Sequence, residues 1–191
     1  MWPHIMRDPV AGDRRARQDA RAVGTITERG SDDGQTTQPP IVVATADETK
    51  AWGRRLGRLM RVGDVIGLVG PLGAGKTTLT QGIAEGMQIS AHRHVASPTF
   101  ALVNEHPGRV PLLHADLYRV NSPAAVAELG LDEAYDRTAA VIEWIDRIPA
   151  AAPADHLRVT IEIAADGARH LTLQAGGPGA ERLLHALRAA D

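Results

Sequence analysis

Residues 70–77 read Gly-Pro-Leu-Gly-Ala-Gly-Lys-Thr and match the phosphate-binding loop pattern Gly-x-x-x-x-Gly-Lys-Ser/Thr. Small residues are needed because the backbone N–H groups of such a loop must close around the β-phosphate of a nucleotide. Lys76 supplies a positive charge for the β- and γ-phosphate oxygens, and the hydroxyl of Thr77 is a ligand for Mg²⁺. The pattern therefore predicts a nucleoside triphosphate site.

The residues on either side of this loop predict the strand–loop–helix order that such a site requires. Residues 65–69 form a short apolar run that is typical of a buried strand. Residues 76–87 predict a helix, whose N-terminal end attracts anions because its free N–H groups and its dipole point toward them. Among the 21 lysines and arginines only Lys50 and Lys76 are lysines. A compact ammonium suits a phosphate at position 76 better than a planar guanidinium would.

The composition restricts the class of protein. The chain has 191 residues, no cysteine and a formal net charge of -2. This length is typical of one domain with a tail, and the lack of cysteine excludes disulfides and thiolate zinc sites. The charge gives no broad electrostatic footprint for nucleic acid. No apolar run has the length of a membrane span, and the N-terminus lacks the apolar segment of a secretory signal. We therefore predict a cytoplasmic protein without a membrane partner.

The first 39 residues differ in composition from the rest of the chain. They mix Arg, Asp, Gly, Gln and Thr with few large apolar residues. Such a segment cannot bury enough apolar surface to offset the entropy lost on ordering. We predict a disordered N-terminal extension over residues 1–39 and a single domain over residues 40–191. A transit peptide is a weaker interpretation because acidic residues are interspersed among the arginines.

The domain sequence predicts an α/β fold. Thr45 and Glu48 have the spacing of a capping box, which predicts a helix from there to about Met60. Ser122-Pro123 predicts the start of a helix that ends near Leu129. The remaining predicted elements are strands at residues 41–44, 100–105, 112–117 and 139–144, a hairpin of residues 157–164 with 170–174, and a closing helix at 180–189. We predict a mixed sheet of the phosphate-loop NTPase type, with helices on both faces.

Two carboxylates at the ends of apolar strands are candidates for completing the site. Glu143 follows four apolar residues, and Asp116 follows a similar run that His114 interrupts. In a parallel sheet both side chains reach the crevice beyond the carboxyl ends of the strands, where ligands bind. Phosphoryl transfer needs a metal beside the phosphates and a group that orients water. The alternative interpretation is that either carboxylate pairs with a surface arginine, such as Arg119 or Arg147.

Three further features have both a structural and a functional interpretation. The segment Ser97-Pro98-Thr99-Phe100 is either an ordinary turn or a switch segment that responds to the γ-phosphate. His92 and His94 resemble a metal pair, but no third ligand has a suitable spacing, which favours exposed loop histidines. Trp144 is either a core residue or an aromatic platform at the site.

The sequence favours ATP over GTP. Guanine-specific proteins of this type read the base through an Asn/Thr-Lys-x-Asp segment. Only Lys50 remains to supply that lysine, and residues 49–52 read Thr-Lys-Ala-Trp, without the Asp and before the phosphate loop. The Ser-Gly-Gly signature of ABC-type ATPases is absent too. ATP is thus assigned by exclusion.

Taken together, five motifs resemble one family, the bacterial TsaE-type ATPases of tRNA threonylcarbamoyladenosine biosynthesis. The phosphate loop alone is shared by many families, whereas this succession of motifs is highly specific. The resemblance covers residues 41–174. The motifs are Gly70-Pro-Leu-Gly-Ala-Gly-Lys-Thr-Thr78, Ser97-Pro-Thr-Phe100, His114-Ala-Asp-Leu-Tyr-Arg119, Glu128-Leu-Gly-Leu-Asp-Glu133 and Glu143-Trp144.

The resemblance implies a small ATP-binding protein with weak ATPase activity. In that family the ATPase docks on a TsaB–TsaD pair, which modifies an adenosine beside the anticodon, and hydrolysis supports repeated turnover. Contact with tRNA would be indirect, through this complex. The residues implied to bind phosphate are Gly70, Gly73, Ala74, Gly75, Lys76, Thr77 and Thr78.

The resemblance also assigns roles to residues outside the loop. Lys76, Asp116 and Glu143 would be catalytic. Thr77 and Glu143 would hold Mg²⁺, with Asp116 near the metal or the attacking water. Thr99 would lie by the γ-phosphate, Trp144 would buttress the site or touch a partner, and the adenine would lie near residues 45–49.

The chain departs from the family pattern at two positions, and two other functions are compatible with the motifs. Pro71 stands where an acidic residue is common, and Ile145 follows Glu-Trp where proline or a small residue is frequent. A small-molecule kinase is the first alternative function, with Arg137 or Arg147 on a lid. A nucleotide-gated binding module with negligible hydrolysis is the second.

Overall fold

The computed structural model describes residues 36–37, 40–90 and 95–190, with residues 36–37 described by their backbone alone. Most of the predicted N-terminal extension lies outside the described residues, as do His92 and His94. Two residues of that extension are described. They form a short strand, β1 (Thr36–Thr37), which pairs antiparallel with a strand near the C-terminus.

The described chain forms an eight-stranded mixed sheet, which confirms the predicted fold class. After β1, the strands are β2 (Ile41–Val43), β3 (Val65–Val69), β4 (Val103–His106), β5 (Leu112–Asp116), β6 (Ala139–Glu143), β7 (Leu157–Ile163) and β8 (Arg169–Ala175). Four of them are parallel neighbours in the order β7-β3-β6-β5, with β4 antiparallel on β5, and β8 antiparallel on β7. Both β1 and β2 pair with β8.

Helices cover both faces of the sheet, as predicted. They are α1 (Ala46–Leu59), α2 (Lys76–Gly86), α3 (Pro123–Ala127), α4 (Leu131–Tyr135) and α5 (Pro178–Ala189), with two short 3₁₀ turns at Ile145–Arg147 and Pro149–Ala151. One core lies between the sheet and α1, α2 and α5, and contains Leu56, Ile83 and Leu184. The second core lies under α3 and α4 and contains Val126 and Leu131. No helix of the described chain is both long and apolar enough to cross a membrane.

Four glycines allow α1 and α2 to pack with their backbones in direct contact. Gly53 and Gly57 face α2, while Gly82 and Gly86 face α1. A Cβ atom added at Gly82 would lie 2.2 Å from the carbonyl oxygen of Lys50, and one at Gly57 would lie 2.1 Å from that of Ile83. Since real Cβ atoms do not approach oxygen so closely, larger residues would force the helices apart. This packing holds the first turn of α1 beside the start of α2.

The predicted N-cap of α1 at Thr45 is confirmed. The hydroxyl oxygen of Thr45 accepts a hydrogen bond from the N–H of Glu48 at 3.1 Å. The carboxylate of Glu48 accepts one from the N–H of Ala44 at 2.7 Å, so it binds the residue before the N-cap, whereas a standard capping box would use the N–H of Thr45. The helix ends one residue before the predicted limit at Met60.

Most predicted elements differ from the observed ones by a few residues at an end, three of them close to a residue with a positive φ, and one helix was not expected. The strand expected from Phe100 begins at Val103, because residues 99–102 form a turn in which Leu102 has a φ of 65°. The strand expected to reach Trp144 ends at Glu143, because Trp144 has a φ of 62°. The helix expected to reach Leu129 ends at Ala127, and Gly130, with a φ of 63°, precedes the unexpected helix α4.

Candidate nucleotide-binding site

The phosphate loop adopts a backbone conformation that requires glycine at several positions. Gly70, Gly73 and Gly75 have φ angles of 150°, 78° and 107°, which side chains of L-residues rarely adopt. A Cβ atom at Gly70 would also lie 2.4 Å from the carbonyl oxygen of Ile161. Gly75 is the N-cap of α2, so the loop leads directly into the helix. The first N–H groups of α2 have no acceptor within the helix and are available to an anion.

Lys76 is held by the loop that it follows. Its side-chain Nζ donates hydrogen bonds to the carbonyl oxygens of Gly70 at 2.7 Å and Pro71 at 2.9 Å. An ammonium has three N–H donors, so one remains for a phosphate oxygen. The residue is only 5% exposed, and burial lowers the pKa of Lys76, although Glu143, Asp116 and Asp146 oppose this shift.

Trp144 forms one wall beside this ammonium. The Nζ of Lys76 lies 3.6 Å from the centroid of the Trp144 ring, a distance typical of a cation–π interaction. The Tyr118 ring packs against the Trp144 ring, with 5.0 Å between the two centroids. Trp144 is half-buried and also packs against the core under α3 and α4. It therefore serves both as a platform and as a core residue, the two interpretations that its position in the sequence left open.

The two candidate carboxylates lie side by side. β5 and β6 run parallel, and their register pairs Asp116 with Glu143 at the carboxyl ends of both strands. Asp116 is 3% exposed and Glu143 is 2% exposed. One oxygen of Glu143, Oε2, accepts a hydrogen bond from the Thr77 hydroxyl at 3.0 Å, and the other, Oε1, lies 2.9 Å from Nε2 of His114.

Asp116 is surrounded by donors from two segments. Its Oδ2 accepts hydrogen bonds from the hydroxyl of Ser97 and, at 3.1 Å, from that of Thr99. Its Oδ1 accepts one from the backbone N–H of Tyr118 at 2.9 Å. The segment of residues 97–100 is thus hydrogen-bonded to the candidate catalytic carboxylate.

Neither carboxylate pairs with the arginines proposed as the alternative. The guanidinium of Arg119 lies over the Phe100 ring at 4.5 Å, and that of Arg147 lies over the Tyr118 ring at 5.4 Å. Arg137, the other arginine considered for a kinase lid, forms an exposed ion pair with Glu105 at 2.9 Å.

A cavity of about 350 Å³ opens above these groups. Most of the predicted site residues line this cavity, and Gly70 and Ala74 are the exceptions. Ala74 is buried in the core, and the carbonyl oxygen of Gly70 accepts a hydrogen bond from Lys76. Leu72, Ser97, Tyr118 and Trp144 line the cavity as well, although the sequence placed none of them in the binding set. The lining residues are Leu72, Gly73, Gly75, Lys76, Thr77, Thr78, Ser97, Thr99, Asp116, Tyr118, Glu143 and Trp144.

The oxygen donors at the site fit a magnesium ion that binds together with a nucleotide. A hydroxyl and a carboxylate, from Thr77 and Glu143, lie 3.0 Å apart at the edge of the loop. Mg²⁺ prefers oxygen ligands and is commonly bound by one or two carboxylates together with water and substrate phosphates. In the described part of the chain, no cluster of three or more histidines and acidic residues forms a metal site by itself.

The two departures from the family pattern lie away from the phosphate position. Pro71 is exposed and is not among the residues that line the cavity. Ile145 is 1% exposed and packs under β3, where a Cβ atom at Gly67 would lie 2.7 Å from its Cδ1. Ile145 therefore belongs to the core and contributes little to any surface for a partner.

Comparison with known proteins identifies the family. The family model for threonylcarbamoyl adenosine biosynthesis protein TsaE matches residues 43–171, more than half of the chain. The chain is 39% identical over 147 residues to the tRNA threonylcarbamoyladenosine biosynthesis protein TsaE of Bacillus subtilis, covering 76% of this chain and 90% of that protein. It is 40% identical over 129 residues to the TsaE of Streptomyces coelicolor, covering 63% and 86% of the two chains.

A solved structure agrees with the sequence comparisons. The crystal structure of YdiB from Bacillus subtilis superimposes with a TM-score of 0.69 at 34% sequence identity, covering 82% of this chain and 96% of that chain. The phosphate loop, the two carboxylates and the strands β5 and β6 that carry them all fall within the residues matched by the family model. The chain belongs to the TsaE family.

Proposed function

We propose that this chain binds ATP with Mg²⁺, hydrolyses it slowly, and thereby supports turnover of the complex that makes threonylcarbamoyladenosine in tRNA. The observation that carries the proposal is the contact between Thr77 and Glu143 at 3.0 Å. It joins the phosphate loop to a strand-end carboxylate, as metal-dependent phosphoryl transfer requires. The names of the relatives, all described as tRNA threonylcarbamoyladenosine biosynthesis proteins, support the pathway.

The proposed phosphate-binding groups are the backbone N–H groups of residues 73–78, Lys76 and Thr78. Two of the three ammonium donors of Lys76 are used on the loop carbonyls, and Lys76 lines the cavity, so the third donor is proposed to bind a phosphate oxygen. Thr77 and Glu143 would hold Mg²⁺, which, when bound, neutralises charge on the phosphates. The low dielectric of a partly buried site strengthens each of these interactions.

Asp116 is proposed to orient the attacking water. An ionised carboxylate only accepts hydrogen bonds, so it can accept one from a water molecule that faces the γ-phosphate. Its three contacts, with Ser97, Thr99 and the N–H of Tyr118, hold the side chain in one orientation. Thr99 would then sense the γ-phosphate, because its hydroxyl contacts the Asp116 carboxylate, which in this proposal faces the γ-phosphate. A carboxylate that orients water without a strong base nearby is consistent with slow hydrolysis.

The first turn of α1 is proposed to lie beside the adenine. A Cβ atom at Gly75 would lie 3.9 Å from Cγ2 of Thr49, so this turn is adjacent to the phosphate loop. Thr49 is 3% exposed, and its hydroxyl donates to the carbonyl oxygen of Thr45 at 3.0 Å. The choice of ATP over GTP still rests on the absence of a guanine-reading segment.

A TsaB–TsaD-type pair is the proposed partner, and tRNA would be met only through that complex. Exposed apolar side chains near the cavity support docking of a protein at its mouth: Leu72 is 78% exposed and Tyr118 is 41% exposed. Phe100, on the turn tied to Asp116, is 86% exposed. We also propose a cytoplasmic location, which a role in tRNA modification supports.

Mass spectrometry of tRNA nucleosides tests the proposed pathway. Depletion of this protein in its own host is expected to remove threonylcarbamoyladenosine, and the wild-type chain is expected to restore it. The Lys76→Ala variant, which lacks the phosphate-binding ammonium, is expected to fail. Unchanged modification after depletion would contradict the pathway. Transfer of the γ-phosphate to a metabolite would then favour a small-molecule kinase.

A further inference from the structure

His114 is buried on β5, the strand next to the edge strand β4, and contacts the candidate magnesium ligand. It is the third residue of β5 and is 0% exposed. Its Nε2 atom lies 2.9 Å from Oε1 of Glu143 on the neighbouring strand. His114 is absent from the cavity wall, so it acts on the site through Glu143.

The strand register explains why these two residues meet. Side chains two positions apart in a strand point to the same face, so His114 and Asp116 share the face of β5 that is turned toward α2. Glu143 pairs with Asp116 in register and lies on the corresponding face of β6. His114 is thereby placed one step behind the two carboxylates, on the side away from the cavity.

The two oxygens of Glu143 therefore have separate partners. A carboxylate oxygen accepts hydrogen bonds, so the hydrogen lies on Nε2 of His114 and is donated to Oε1. The other oxygen, Oε2, receives the hydroxyl of Thr77 at 3.0 Å. With one oxygen fixed from the core, the second is directed toward the phosphate loop.

A packing role alone does not account for a histidine here. The neighbouring residues Leu112 and Leu113 fill buried positions on the same strand with apolar side chains. Nδ1 of His114 is buried without a hydrogen-bond partner, which disfavours the folded state compared with an apolar residue of similar volume. The His106 ring, on β4, lies 6.4 Å from the His114 ring between centroids. The hydrogen bond to Glu143 is thus the contact that distinguishes a histidine from a leucine here.

We propose that His114 is a positioning residue that holds the Glu143 carboxylate in the orientation required to bind Mg²⁺ with the nucleotide. This inference rests on the proposed function, because it concerns the metal ligands of the same site. Hydrogen-bond partners of metal ligands commonly matter in this way, and their loss typically costs about 10–100-fold in metal affinity or activity.

The test is the affinity for ADP measured by calorimetry with excess Mg²⁺ and, separately, with EDTA. His114→Leu keeps a similar volume but removes the donor, whereas His114→Gln can present an amide N–H near the position of Nε2. We expect His114→Leu to bind ADP within about twofold of wild type in EDTA but to lose about 10–100-fold of the enhancement by Mg²⁺. His114→Gln should recover most of that enhancement.

A double-mutant cycle separates positioning from a general effect on folding. In a Glu143→Gln background, His114→Leu should cause no further loss of Mg²⁺-dependent affinity, because the carboxylate that it positions is already absent. Parallel losses with EDTA and with Mg²⁺ would overturn the inference in favour of a structural role. Retention of the full enhancement by His114→Leu would overturn it as well, as would further loss in the Glu143→Gln background.

The failure of this inference is distinguishable from failure of the proposed function. If wild type binds no nucleotide under either condition, the proposed function itself fails. If wild type binds ADP and Mg²⁺ strengthens that binding, the function stands, and the His114 variants alone decide the role of the histidine. Should His114→Leu not fold, His114→Met, which also removes the N–H donor and has a flexible apolar side chain, carries the same test and the same cycle.

Discussion

Lys76 and Trp144 form a cation–π pair: the ammonium nitrogen of Lys76 lies over the face of the indole ring, 3.6 Å from its centroid. The same ammonium donates to two carbonyl oxygens of the phosphate loop. Trp144 reaches this position through a left-handed backbone conformation, with a φ of 62°, that aromatic residues seldom adopt. Strained conformations of this kind occur often at functional sites. The ring thus lies where binding of a phosphate at Lys76 must alter its surroundings.

Trp144 should therefore report nucleotide binding through its fluorescence. We expect addition of ADP to change the emission of a variant in which Trp2 and Trp52 are replaced by phenylalanine. The change follows because the charge beside the indole is partly neutralised when a phosphate binds Lys76. Replacing Trp144 by phenylalanine instead, with the other two tryptophans kept, is the matched control and should abolish the signal. A signal of equal size in that control would place the reporter elsewhere.

Lys76→Ala should weaken ATP binding strongly, and Lys50→Ala should not. Lys76 offers a charged donor to the phosphates, and hydrogen bonds with charged groups contribute about 1.5–3 kcal/mol. Its loss should lower the affinity by roughly ten- to a hundredfold or more. Lys50, the only other lysine of the sequence, is absent from the cavity wall and provides the control. Undiminished affinity of Lys76→Ala by calorimetry would contradict the proposed phosphate site.

Gly82→Ala should destabilise the fold even though alanine favours helices. Alanine gains up to about 1 kcal/mol over glycine in a helix interior, but its Cβ would lie 2.2 Å from the carbonyl oxygen of Lys50. Overpacking of this kind commonly costs about 1–3 kcal/mol. The free energy of unfolding from urea titrations measures the difference, with Glu85→Ala, which removes a surface ion pair with Arg54, as the control. A Gly82→Ala variant as stable as wild type would contradict this prediction, because the packing cost would then be no larger than the roughly 1 kcal/mol that alanine gains.

The features that the sequence predicts correctly are those carried by local patterns. The phosphate loop follows from an octet of residues, the start of α1 from a capping box, and the position of Glu143 from an apolar strand that ends in a carboxylate. Parallel pairing of β5 and β6 then brings Asp116 to the same edge. These inferences need only chain order and the periodicity of strands and helices.

Other features depend on contacts between distant segments. In the sequence, His114 is only a polar interruption of an apolar strand. Its contact with Glu143 becomes evident only from the register of β5 and β6. A signal for this contact exists, since a polar residue in a buried strand needs a partner. The glycines of α1 and α2 occur at spacings of four, as in Gly53-x-x-x-Gly57, and this spacing indicates close helix packing. The helix predicted to reach Leu129 ends at Ala127, and the unexpected helix α4 begins after Gly130, whose left-handed backbone conformation caps it.

Hydrolysis distinguishes the proposed function, an ATPase, from the alternative function, a nucleotide-gated binding module with negligible hydrolysis. Glu143→Gln removes the carboxylate charge while keeping a side chain of similar shape beside Thr77. Under the proposed function this variant still binds ATP and the partner pair but does not hydrolyse ATP. Under the binding-module alternative, the variant retains full activity in cells.

Turnover of a reconstituted system tests the central claim most directly. A TsaB–TsaD-type pair, tRNA, an activated threonylcarbamoyl donor and ATP are combined with the wild-type chain or with Glu143→Gln, and modified tRNA is counted per complex. We predict repeated turnover with the wild-type chain, and with Glu143→Gln a single round that then stops. Sustained turnover at the wild-type rate with Glu143→Gln, or with no added chain, would contradict the claim that hydrolysis by this protein drives repeated modification.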